Sequence, residues 1–109
     1  MEGQIKLDGK KADSGKARMD LLDPYAIEQL ALVLTFGATK YDAWNWAGGI
    51  KYSRILAALL RHVFAYLRGE DLDPESGLPH IAHAMCGCMF LLGLSKRKPE
   101  SDDRHPEPM

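Results

Sequence analysis

Three stretches of the chain repeat apolar residues at helical spacing, and polar or glycine-rich segments separate them. The first opens at Asp23-Pro24, a capping carboxylate followed by proline at the first helical position. Ile27, Leu30, Val33 and Leu34 recur at steps of three and four, and Gly37 is expected to end the helix. The second runs from about Ser53, read as its cap, to Leu67. Its apolar face is Ile55, Leu56, Leu59, Leu60, Val63, Tyr66 and Leu67, and Gly69 terminates it. Pro79 opens the third, which carries Ile81, Ala84, Met85, Cys88, Met89, Leu91 and Leu92 and ends near Leu94. No segment alternates with the period of a strand. The expected class is all-α, a small helical bundle of about three to four core helices.

The segments outside the helices read differently. Residues 1–20 are charged and glycine-containing, without apolar period, and predict an extended arm. Residues 1–95 are expected to form one domain, with 1–12 as its arm. Residues 96–109 have nothing to bury and are expected to be a mobile tail, with His105 inert in it.

Composition narrows the function classes. A chain of 109 residues supports one domain with a modest core, so a subunit interface is a reasonable expectation. The formal net charge of -1 gives no general field for nucleic acid or anionic membranes. No apolar run approaches the ~20 residues of a membrane span. The first twenty residues are too polar for a signal peptide, so the cytoplasm is the expected compartment. The two cysteines, Cys86 and Cys88, are read as small buried thiols.

Candidate chemistry gathers between residues 61 and 83. This window holds Arg61-His62, the acidic run Glu70, Asp71, Asp73 and Glu75, and the spaced pair His80 and His83. His80 and His83 lie about 60° apart on one helical face. His62 follows Leu59 by three positions and points toward the core. Imidazoles and carboxylates at the mouth of a helical bundle suit a divalent cation, which also relieves repulsion among the carboxylates. The plain alternatives are capping histidines and a solvated acidic turn.

Cations outside this window offer phosphate binding. Lys16 and Arg18 sit in a glycine-containing turn, followed by Lys40, Arg54 and Arg61. Tyr41, Trp44 and Trp46 could stack a base and Asn45 could read its edge, unless the tryptophans fill the core.

Several of these segments together resemble the phage dATP/dGTP diphosphohydrolase family. They are Asp13 through Leu22, Phe36 through Tyr41, Asn45-Trp46, Arg61-His62 and Gly69 through Ala84. The family is grouped with MazG-like all-α nucleoside triphosphate pyrophosphohydrolases. The resemblance implies cleavage of a purine deoxynucleoside triphosphate to the monophosphate and pyrophosphate with Mg²⁺ or Mn²⁺. It also implies a role in the phage dNTP pool and assembly as a homodimer or homotetramer.

MazG-like enzymes carry E-x-x-E on one helix and E-x-x-D on the next. This chain has no upstream E-x-x-E, and Glu70-x-x-Asp73 falls in a proline-containing loop. His80-x-x-His83 is the better counterpart by position. The expected metal set is drawn from Glu70, Asp73, Glu75, His80 and His83, with Glu75, His80 and His62 catalytic. An HD-like phosphohydrolase and a non-catalytic nucleotide-binding or interaction module remain the other classes.

Overall fold

A computed structural model describes residues 9–104. Three helices dominate: α1, Pro24–Lys40; α2, Tyr52–Leu67; and α3, His80–Arg97. Short 3-10 turns occupy Met19–Leu21, Asn45–Gly48 and Pro99–Ser101. No strand forms among the described residues, and the all-α expectation holds. One isolated bridge joins Leu72 and Pro79 across the base of the acidic loop.

The α1 start follows the sequence rule. An Asp23 carboxylate oxygen accepts from the Ala26 N–H at 3.0 Å, and Pro24 takes the first turn. The helix does not stop at Gly37 but continues to Lys40. Gly37 keeps a helical backbone and has open space around it, so nothing there forces a left-handed cap.

Ser53 does not cap α2. It lies inside the helix, and its N–H and hydroxyl bind the Asp103 carboxylate, fifty residues away. That carboxylate meets the free N–H groups and positive dipole of the α2 N-terminus. The far end closes as expected at Gly69, whose φ is +96°. The Gly69 N–H bonds to Tyr66 O at 2.9 Å and the Glu70 N–H to Ala65 O at 3.0 Å, the paired bonds of a Schellman stop.

Helices α2 and α3 pack antiparallel. Tyr52 and Ile55 meet Leu94 at one end, Leu59 lies against Gly87 midway, and His62 meets His80 and His83 at the other. A Cβ on Gly87 would come within 3.1 Å of Leu59, so the glycine permits the close approach. Val33 of α1 packs on Ala82 and Cys86 of α3. Phe90 joins this cluster to the one formed by Tyr52, Ile55, Leu94 and Trp46.

Several apolar expectations change. Leu60, Tyr66 and Leu67 of α2 and Leu92 of α3 are exposed, as is Phe64. Cys86 is buried, but Cys88 is exposed. The expected tail also carries structure through Arg104. Helix α3 runs three residues past Leu94, Asp103 binds Ser53, and the Arg104 guanidinium lies 5.6 Å from the Tyr52 ring. His105 and the residues after it lie outside the described residues, as do residues 1–8 of the arm.

Candidate functional site

The Schellman turn at Gly69 sends Glu70 back across the end of the α2–α3 pair. The loop then folds on itself. The Asp73 N–H bonds to Leu78 O at 2.8 Å, and the His80 N–H to Asp71 O at 2.9 Å. The Asp73 carboxylate accepts from the Ser76 N–H at 3.0 Å, an aspartate bonded to a nearby main-chain amide. Gly77, at φ +72°, makes the reversal that returns the chain to α3.

This folding assembles an imidazole cluster. His80 is only 4% exposed. Its Nε2 lies 2.7 Å from Glu70 Oε1, and its Nδ1 lies 2.8 Å from His62 Nδ1. His83 stacks flat on His62, with ring centres 4.5 Å apart. The His83 Nε2 is 2.7 Å from Ser76 Oγ and 3.8 Å from Asp73 Oδ2. One ligand atom from each of His62, Asp73 and His80 lies within 4.8 Å of the other two.

The electrostatics keep lone pairs available. Burial pushes the His62 pKa down, with the neighbouring His83 adding to the effect. Burial likewise lowers His83 against the pull of Asp73. Both rings therefore favour the neutral form near pH 7, the form that can bind a metal or accept a proton. For Asp73, burial works upward, but hydrogen bonds from Ser76 outweigh it and hold the carboxyl below its ordinary range. The imidazoles of His62 and His80 with the Asp73 carboxylate make a donor set that fits a divalent cation.

Other candidates sit at the rim or elsewhere. Glu75 is exposed and bonds through Oε2 to Lys40 Nζ at 2.8 Å, which raises the Lys40 pKa. Lys40 also lies 5.4 Å from the Tyr41 ring. Arg61 adjoins His62 on α2 and is exposed. Arg18 is paired with Asp20 at 2.7 Å. Among the described residues, no hydrogen bond or ion pair joins Lys16, Arg18 or Arg54 to the histidines.

The aromatic loop divides. Trp46 packs in the core, with its ring 5.0 Å from Phe90 and against Gly93. A base reader must present a free face, so Trp46 is reassigned to packing. Trp44 stacks outside Trp46 at 5.7 Å and is 65% exposed, with the Arg97 guanidinium 5.2 Å from its ring. Asn45 is exposed at the start of the Asn45–Gly48 turn. Gly93 follows His83 by ten residues, about 15 Å along a helix. The tryptophans therefore pack at the opposite end of α3 from the imidazoles.

Two contributors escaped sequence reasoning. Ser76 ties Asp73 to His83; its signal was the Asp73-to-Ser76 spacing of an aspartate turn. Arg97 looked like part of a basic tail, and no local pattern linked it to Trp44.

A family described as "dATP/dGTP diphosphohydrolase, N-terminal" matches residues 6–104. The chain belongs to the dATP/dGTP diphosphohydrolase N-terminal family. A Salmonella phage PMBT28 protein named dATP/dGTP diphosphohydrolase is 46% identical over 96 residues. That match covers 88% of this chain and 33% of the phage protein, so the chain spans about a third of its relative's length. No solved structure matches the chain. The dATP/dGTP diphosphohydrolase match takes in the whole imidazole cluster and extends to Arg104, past the expected end of the domain.

Proposed function

We propose that this chain forms a metal-dependent purine dNTP pyrophosphohydrolase site. It would convert dGTP or dATP to the deoxynucleoside monophosphate and pyrophosphate, and so adjust the phage dNTP pool. The observation carrying this reading is the convergence of His62, Asp73 and His80 in a family of that name. Mg²⁺ or Mn²⁺ bound there would activate water and neutralise phosphate charge.

The chain's own residues account for the rest. Water adds to the α-phosphorus, the α–β bridging bond breaks, and pyrophosphate leaves. Glu75, with one oxygen held by Lys40, accepts the proton released by the water. Lys40 and Arg61 are the cations best placed to meet the triphosphate charge. Tyr41, next to Lys40 at the end of α1, presents an exposed aromatic face for a purine.

The exposed Leu60, Phe64 and Leu67 on α2 support assembly as a homodimer or homotetramer. No described helix is long and apolar enough to cross a membrane. The phage family supports action in the host cytoplasm.

A second reading has its own support, since a histidine-rich cluster also suits an HD-like phosphohydrolase. The test is ion-pair chromatography of products from each dNTP and from GTP, with Mg²⁺, Mn²⁺ or EDTA. The expected products are dGMP or dAMP plus pyrophosphate, formed only with metal. Deoxynucleoside plus triphosphate would select the HD-like reading. Absence of turnover in every condition would favour a nucleotide-binding module.

A further inference from the structure

The imidazole cluster contains more detail than a general divalent site requires. The contact between His80 Nε2 and Glu70 Oε1 at 2.7 Å places a proton on Nε2, because a carboxylate oxygen only accepts. In neutral His80 the Nδ1 lone pair therefore faces His62 Nδ1, 2.8 Å away. Without a cation, His62 must donate across that contact. With a cation, His62 shifts its proton to Nε2, and two nitrogen lone pairs converge. Ligand atoms about 2.1 Å from a shared ion stand roughly 3 to 4 Å apart; here the two nitrogens are 2.8 Å apart and the Asp73 ligand atom lies within 4.8 Å of both histidines.

The remaining neighbours are already engaged. Ser76 Oγ holds His83 Nε2, and the His83 ring covers His62. Asp73 is the carboxylate within reach of both His62 and His80. Glu70 touches the far side of the His80 ring, where a partner that fixes a metal-binding histidine is usually found.

We propose that His62, Asp73 and His80 form a two-histidine, one-carboxylate centre that selects Mn²⁺ or a neighbouring transition ion over Mg²⁺. Glu70 is the residue that positions His80. The selectivity follows from the donors. Imidazole nitrogen suits the later transition ions best and Mn²⁺ least among them, whereas Mg²⁺ takes oxygen ligands and retains several waters. Three protein ligands leave coordination positions open, as a catalytic centre needs. This inference deepens the metal-dependent reading above and rests on it for its role in turnover, but not for binding itself.

The test is Mn²⁺ binding to the metal-stripped chain without nucleotide, followed by electron paramagnetic resonance with Mg²⁺ as competitor. One Mn²⁺ per chain is expected, with Mg²⁺ at least about ten-fold weaker. His62→Ala should abolish that binding. Glu70→Gln, which keeps the shape of the contact, should weaken it about 10- to 100-fold while circular dichroism stays native. Equal competition by Mg²⁺ would overturn the selectivity. Unchanged Mn²⁺ binding in both folded variants would overturn the ligand set. Because nucleotide is absent, wrong products in the chromatographic assay would sink the pyrophosphohydrolase reading and leave this centre standing.

Discussion

The two ends of the α2–α3 pair are built from the same kind of helix and do different work. At one end, Tyr52, Ile55 and Leu94 pack with Trp46 and Phe90, and Leu94 is wholly buried. At the other, His62, His80 and His83 are held by Glu70, Asp73 and Ser76. The first end contributes stability through apolar burial. The second holds polar groups together at a site that burial alone would not favour. The packed end and the imidazole end lie about 15 to 20 Å apart along one helix.

That contrast can be broken most severely at the packed end. Trp46→Ala removes the ring between Phe90 and Gly93, and a loss of about 3 kcal/mol or more is expected. Urea unfolding should show a lower midpoint. An unchanged midpoint would return Trp46 to the list of free recognition residues. Next comes Gly93→Ala, whose new methyl would sit 2.6 Å from the Trp46 ring. A loss of about 1–3 kcal/mol is expected from overpacking. The same change in a Trp46→Ala background should cost much less, because the clash is gone.

The smallest effect concerns the thiols. Burial pushes the Cys86 pKa up to about 11, whereas Cys88 is exposed. Iodoacetamide at neutral pH should label Cys88 in the folded chain and reach Cys86 only on unfolding. Equal labelling of both would contradict the packing of Cys86 on Val33 and Ala82.

Local signals in the sequence read well where local physics decides the outcome. Asp23-Pro24 capped α1 and Gly69 stopped α2, because each motif satisfies orphan backbone groups by itself. His62, His80 and His83 share a site because helical spacing and an antiparallel return bring them together. Long-range choices were not readable. Trp44 and Trp46 are two residues apart, yet one is exposed and the other packs on Phe90. Nothing near Ser53 shows that Asp103 will bind it. Glu75 looked equivalent to Asp73, but Lys40 at the end of α1 draws it to the rim. The α2 face was overread, because Leu60, Tyr66 and Leu67 stay exposed while Ile55 is buried.

Chemistry is expected at the histidine end and packing at the tryptophan end. The most direct test compares dGTP turnover and thermal melting in His62→Ala, where His62 is half-buried and lies outside the apolar clusters. Turnover should fall by about 100-fold or more, with the melting temperature changed by only a few degrees. Turnover near that of the parent chain in a folded His62→Ala protein would contradict it.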